Sequence, residues 1–363
     1  IHVLMVIPSF FPIVGGAERQ LMGLSTELVN QGMEVDIITR RVRNSARIES
    51  KNGYRIFRLS TFIPKFSFLI SLFFYILKNK SKYQVIHVHT LNSPAIISLI
   101  AGKLIKLPVI VKVTRSGKNT QLSRYRESFL GKIFFSFLST STSFIALTED
   151  VKLELKKAGV EKNKIKCIPN GVNIPNIEER KEEEGIIKIS YVGRLIKRKR
   201  VDLLLRSIFE NTFSKKIYLY IAGEGSERKK LEKMAKEFQA SYFSFFMGEI
   251  DHNQVLNLLE SSNIFVLPSE SEGMSNALLE AMSFKNVVIA SDIPANRQLI
   301  KDGENGFLFS DLTALKKIIK MICSSKNLKI EVAKKARKTI EDKFSYQEVT
   351  RIYINLYKEL LGL

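Results

Sequence analysis

Pro268-Ser-Glu-Ser-Glu-Gly-Met-Ser-Asn-Ala-Leu-Leu-Glu-Ala-Met282 carries two carboxylates, Glu272 and Glu280, eight positions apart. The apolar run 264–267 ahead of it predicts a short buried strand, and 274–284 predicts a helix whose first turn follows Gly273. Glu272 then falls in the strand-to-helix loop, with Glu280 about two turns into the helix on roughly the same side. Glu280 stands among Ala277, Leu278, Leu279, Ala281 and Met282, so it is not one of several charges on a wet face. Two readings fit this spacing. In one, the carboxylates accept hydrogen bonds from a polyol while the helix N-terminus receives an anion carried by the same ligand. In the other, Glu272 complements the helix dipole and Glu280 is a partly exposed surface residue.

Strands and helices alternate on both sides of this unit. Strands are predicted at 2–8, 35–39, 55–59, 85–88, 109–113 and 143–147, and again at 187–192, 217–222, 242–247, 264–267 and 287–290. Helices fall between most of them, the pattern of doubly wound, mostly parallel α/β sheets. The alternation pauses near Ile168-Pro-Asn-Gly-Val172, and the polar run 178–184 reads as a solvated linker. Two similar domains are therefore expected, 1–172 and 173–344. The amphipathic segment at 345–363 is expected to pack back on the first.

A chain of 363 residues, 45% hydrophobic, has enough apolar material for two cores. Cys167 and Cys323 lie far apart without metal-ligand neighbours, which argues against a disulfide framework or a structural zinc site. No signal peptide is visible, and the strand-like opening at Ile1 leaves room for a short piece ahead of it. Residues 1–170 hold 26 Lys and Arg against 10 Asp and Glu, so most of the net charge of +21 belongs to the first half. The basic residues are scattered and form no nucleic-acid motif, so no nucleic-acid partner is expected. Two apolar segments, 66–77 bracketed by Lys65 and Lys78, and 129–138 containing Lys132, are too short to span a bilayer. They suit either core-facing helices or helices laid on an anionic membrane surface, and the charge of this half favours the membrane.

In such sheets ligands bind outside the carboxyl ends of the strands. After the first strand, Gly15-Gly16 opens a helix, where backbone can approach a phosphate closely. After 191–192 comes Gly193-Arg-Leu-Ile-Lys-Arg-Lys199-Arg-Val-Asp202, with five cations between Arg194 and Arg200. Such a cluster is repulsive unless an anion neutralises it. Arg194 offers a planar fork for phosphate oxygens and Lys199 a point charge. Gly223-Glu-Gly225 and Asn305-Gly306 complete the rim.

Taken together, Gly15-Gly16, Asn170-Gly171-Val172, Gly193-Arg194-Leu195 with Lys199, Gly223-Glu224-Gly225, Gly248, the Glu272–Glu280 pair and Asn305-Gly306 resemble the retaining glycosyltransferases of family 4, of the bacterial surface-polysaccharide type. The resemblance covers nearly the whole chain and is strongest over 168–310. It implies the GT-B fold, two Rossmann-like domains facing a central cleft, with the C-terminal helix crossing back to the first. It implies that Arg194 and Lys199 hold the diphosphate of a nucleotide sugar, most simply a UDP-sugar. Glu280 would take the ribose hydroxyls, and Glu272, with the backbone of Gly273, Met274 and Ser275, the transferred sugar. Gly16, Gly193 and Gly223 would approach the donor by backbone, and Ile250 the base. Transfer would go to a hydroxyl of a lipid-linked or saccharide acceptor at the inner face of the cell membrane. No cofactor or metal is implied, and the chain has no Asp-x-Asp.

Two positions depart from the family. Where many members carry an acceptor-side histidine, this chain reads Val113-Thr114-Arg115, which leaves His89, Thr114 and Arg115 as acceptor-side candidates. Arg200 replaces a glycine common after the lysine. Alternatives from other classes are a membrane-surface binding protein for sugar nucleotides without transferase activity, and a nicotinamide-dependent oxidoreductase. The first would be expected to have lost the donor motif, which is intact. The second would need GxGxxG after the first strand, which is absent.

Overall fold

The computed structural model describes residues 1–13, 15–60, 66–114, 122–123, 125, 129–139, 142–177, 185–213, 215–240 and 243–363. Arg115 and the acidic run 178–184 lie outside the described residues. The chain divides into two compact units, Ile1–Gly171 with Tyr346–Leu363, and Val172–Ser345. The boundary expected at 172 thus falls within one residue, and the terminal helix belongs to the first unit.

The first unit is built on β1 (His2–Val6), β2 (Glu34–Arg40), β3 (Ile48–Lys51), β4 (Tyr54–Leu59), β5 (Val85–Val88), β6 (Val109–Val113), β7 (Thr142–Ala146) and β8 (Ile165–Cys167). They form one sheet in the order β3-β4-β2-β1-β5-β6-β7-β8. All pairs are parallel except β3 on β4. β1 is apolar almost throughout because both faces of the sheet are covered. Val3 and Met5 enter one core, with α1 (Gly16–Asn30) and the C-terminal helix Tyr346–Leu361. Leu4 and Val6 enter the other, under α2 (Phe66–Lys78), α3 (Ser93–Ile105), α4 (Phe129–Ser139) and α5 (Glu149–Lys157). The strand's period of two sends alternate side chains to opposite faces.

The second unit carries β9 (Ile186–Val192), β10 (Lys216–Ala222), β11 (Ser244–Gly248), β12 (Ile264–Leu267), β13 (Val287–Ser291) and β14 (Phe307–Phe309). All neighbours are parallel, in the order β11-β10-β9-β12-β13-β14. The helices are α6 (Val201–Phe209), α7 (Arg228–Glu237), α8 (His252–Ser261), α9 (Asn276–Ser283), α10 (Pro294–Arg297), α11 (Leu312–Ser324) and α12 (Lys326–Lys343). Strand order reverses across this sheet between β9 and β12, and across the first sheet between β1 and β5. The crevice at such a reversal, beyond the carboxyl ends of the strands, is where doubly wound sheets bind ligands.

Three short strands escaped the sequence pattern: β3, β8 and β14. The helix expected over 274–284 is shorter at both ends. Ser275 is its N-cap, the hydroxyl accepting from Leu278 N at 3.3 Å, so Met274 and Ser275 belong to the loop.

Candidate functional site

The site of the second unit is assembled by the turns that leave β9, β10, β11 and β12. Backbone bonds stitch the first three together: Gly193 N donates to Ala222 O at 2.9 Å, and Gly223 N to Gly248 O at 2.7 Å. Gly223 has φ +138°, and a Cβ there would stand 1.9 Å from Gly193 O. Only glycine allows these turns to lie in one close layer.

The turns after β9 and β12 flank the reversal of strand order, and side chains sew them together. Lys199 Nζ donates to Glu272 Oε1, with only 13% and 8% of the two side chains exposed. Arg198 Nη1 donates to Ser271 O at 2.6 Å, and Arg200 Nη1 to Glu270 Oε1 at 3.1 Å. The loop therefore brings Lys199 and Glu272 into direct contact, a pairing that the sequence spacing does not foresee. Protein carboxylates supply part of the neutralisation that the cationic turn needs. Glu272 neutralises Lys199, while Asp202 at 3.2 Å and Glu270 neutralise Arg200. Arg194 is exposed and joins no ion pair among the described residues.

Arg200 adopts φ +49°, the left-handed conformation in which glycine is unstrained. The turn requires this conformation, and here two carboxylates engage the arginine that adopts it. Tyr191, which the sequence pattern did not single out, is fully buried and donates its hydroxyl to Arg194 O at 3.1 Å. Burial, then the nearby Glu272 charge, push its phenol far up, so it stays neutral and anchors the start of the cationic turn. A tyrosine at an inward position one residue before the strand ends was its only signal.

Glu280 lies in α9 with 13% of its side chain exposed, and His252 Nε2 is 3.8 Å from its Oε1. Glu280 is thus a sheltered carboxylate rather than a surface charge. Gly273 and Ile250 are half-buried in their turns, and Met274 is buried. The Ser275 hydroxyl is engaged in the helix cap.

In the first unit, Gly16 is exposed and opens α1, with Gly15 as N-cap. The Glu18 carboxylate supplies the missing cap by accepting from Gly15 N at 3.0 Å. His89 is a correction. It is 4% exposed, stacked on His87 at a centroid distance of 4.1 Å, with Nε2 3.2 Å from Met5 Sδ. Burial, reinforced by His87 and Lys112, holds its pKa far below the usual histidine value. It is a neutral core residue and presents no open face to an acceptor. Thr114 is half-buried just past β6. Beside the histidines, Lys112 is buried and donates to Asn170 Oδ1 at 3.1 Å, and burial pushes its pKa down to about 8. A lone charge inside the apolar strand Val109–Val113 was the signal that could have found it.

Comparison with known proteins bears on both units. Residues 14–175 match Glycosyltransferase Family 4, and residues 173–339 match Glycosyl transferases group 1. An Escherichia coli UDP-Gal:alpha-D-GlcNAc-diphosphoundecaprenol alpha-1,3-galactosyltransferase is 26% identical, spanning 95% of this chain and 95% of that protein. The capsular polysaccharide biosynthesis glycosyltransferase CapM of Staphylococcus aureus is 23% identical over 92% of this chain and 93% of its own. The crystal structure of Anabaena HepE in complex with UDP-glucose aligns with a TM-score of 0.79 at 14% identity, covering 99% of both chains. With two parallel Rossmann-like sheets, a C-terminal helix returned to the first, and family matches that together run from residue 14 to 339, this chain belongs to the family 4, group 1 glycosyltransferases of the GT-B fold.

Proposed function

We propose that this chain moves a sugar from a UDP-sugar to a hydroxyl of a lipid-linked saccharide in bacterial surface-polysaccharide assembly, with retention of anomeric configuration and without a metal ion. One observation carries the reading. Lys199 and Glu272 meet across the point where strand order reverses in the second sheet, and Glu280 stands sheltered on the helix that follows. An ammonium has three donors. With one on Glu272, the others remain for diphosphate oxygens, so sugar-binding carboxylate and phosphate-binding cation share one locus. The names of the Escherichia coli and Staphylococcus aureus relatives support the donor, the lipid diphosphate acceptor and the biosynthetic setting. The absence of Asp-x-Asp supports a diphosphate held by Arg194 and Lys199 alone.

In the reaction, the bond from the anomeric carbon to the diphosphate oxygen breaks, and a bond to the acceptor oxygen forms on the same face. The acceptor's proton passes to the departing phosphate oxygen. Arg194 and Lys199 stabilise the negative charge that grows on the diphosphate, while Glu272 and the backbone from Gly273 to Ser275 orient the sugar. Calorimetric titration should find UDP bound in preference to GDP and NAD. Glu280→Ala should weaken UDP binding about tenfold, the scale of a lost charged hydrogen bond. Product NMR should report an unchanged anomeric configuration, and turnover should survive EDTA. Wild-type UDP affinity in the Glu280 variant would remove Glu280 from the donor site.

The acceptor half of this reading is a membrane surface. α2, α3 and α4 each bury one face in the first unit's core. Outside they expose Ile70 (48%), Phe74 (63%), Leu104 (65%) and Ile133 (52%), edged by exposed Lys78, Lys80, Lys103 and Lys132. Lys82 is not part of this edge, because it turns to Asp36. Among the described residues no helix is long and apolar enough to cross a membrane. Exposed apolar side chains on helices that also carry exposed lysines suit shallow insertion into anionic headgroups. Ile70→Glu with Phe74→Glu should abolish sedimentation with phosphatidylglycerol vesicles at low salt. Retained binding would make these side chains ordinary exposed hydrophobics.

A further inference from the structure

Glu280 has a neighbour that the donor reading leaves without a role. His252 is the first residue of α8, and its Nε2 lies 3.8 Å from Glu280 Oε1, an ion pair when the imidazole is protonated. The two side chains come from different strand-end units, His252 after β11 and Glu280 after β12. The segment that delivers the imidazole is itself fixed. Asp251 caps α8, its carboxylate accepting from Gln254 N at 2.9 Å while Gln254 Oε1 accepts from Asp251 N at 3.0 Å. At the first position of a helix the Cα–Cβ bond tilts back toward the N-terminus, which sends the imidazole over the turn 248–251. That same turn holds Ile250.

We infer that His252 is a positioning residue for donor recognition: it holds the Glu280 carboxylate in the orientation that accepts from the ribose hydroxyls. The inference rests on the reading that Glu280 binds ribose. A carboxylate has about four lone-pair sites, so one oxygen turned to an imidazole leaves acceptors for a vicinal diol. Losing that contact leaves more of the ordering of Glu280 to be completed when the nucleotide arrives, and affinity falls by that part of the cost. The turn after β11 would then serve both parts of the nucleoside, the base through Ile250 and the ribose through His252.

The test is calorimetric titration of the whole chain with UDP and with 2′,3′-dideoxy-UDP, so that the ratio of affinities reports ribose recognition alone. His252→Ala should shrink that ratio about five- to tenfold, the scale of coupling between groups in contact. His252→Gln, whose amide can still donate to the carboxylate, should recover part of it. In a Glu280→Ala background, His252→Ala should shrink the ratio no further. If His252→Ala leaves the ratio intact while Glu280→Ala collapses it, the inference falls and the donor reading stands. Losses that simply add in the double variant also overturn it. If Glu280→Ala itself leaves the ratio intact, the donor reading falls and takes the inference with it.

Discussion

Arg194→Ala is expected to lower kcat and kcat/KM together by about 10²–10³-fold, the scale of losing one preorganised donor to a developing charge. The equal loss in both parameters follows if the guanidinium interacts chiefly with charge that appears as the diphosphate departs. Its placement supports this. Arg194 is the second residue of the turn after β9, its carbonyl is held by the buried Tyr191 hydroxyl, and its side chain is exposed outside any ion pair among the described residues. Lys199, by contrast, is engaged with Glu272, so its removal would disturb the sugar side as well. Stability should stay within about 0.5 kcal/mol in the Arg194 variant, because an exposed side chain outside any network is lost. Arg194→Lys should recover only part of the rate, since a point charge lacks the planar fork. Steady-state kinetics beside urea unfolding checks both statements. Wild-type turnover in Arg194→Ala would detach this residue from the diphosphate.

Asp36→Ala should lower stability by about 1–3 kcal/mol, the scale of leaving buried donors without an acceptor, without touching the donor site. Asp36 is fully buried near the start of β2, away from the carboxyl ends of the strands. It accepts from Lys82 Nζ at 2.6 Å, Arg55 Nε at 2.8 Å and the Tyr83 hydroxyl at 2.8 Å, with His2 Nε2 at 3.2 Å. Removing the carboxylate leaves two cations and a buried hydroxyl without their acceptor. Burial alone would raise the carboxyl pKa. The bonds from Lys82, Tyr83 and Arg55 outweigh it and hold the group below its ordinary 3.8. A depressed pKa contributes stability that is complete above the unfolded value and lost as pH falls through the folded one. Wild-type unfolding free energy should therefore drop below about pH 4 partly through this group. In Asp36→Asn that component should be missing. Urea unfolding of both forms between pH 3 and 7 measures it, and an Asp36→Ala variant as stable as wild type would show the network to be idle.

Periodicity exposed most of the fold. The strands Val85–Val88, Val109–Val113 and Ile264–Leu267 stand at the bounds the pattern predicts, and the last helix, Tyr346–Leu361, lies within the predicted 345–363. Each is long or apolar enough for its period to be visible. β3, β8 and β14 span three or four residues, too few to establish an alternation, and β3 is largely solvent-facing. Their existence depends on a neighbouring strand with open hydrogen-bonding groups, which is a tertiary circumstance. Apolar Met274 extends the predicted helix after Gly273 beyond its start, which the Ser275 cap decides.

The candidate site divides along the same line. Linear order was enough to pick out Arg194, Lys199, Glu272 and Glu280, because charges at strand ends in an alternating α/β chain must emerge on the ligand-binding rim. It could not foresee which charges satisfy each other. Lys199 finds Glu272 across 73 positions, and His252 finds Glu280 across the sheet from a different turn. Nor could it tell that His89 packs on His87 and Met5 and is closed to ligands, since a strand-end histidine looks alike in sequence whether it points into a core or out of it. Composition and spacing determine which elements form and what chemistry lies at their ends, because those depend on local backbone preference and the period of apolar residues. Pairing, burial and the protonation that follows depend on distances closed only when the sheet is assembled, and these the folded chain alone decided.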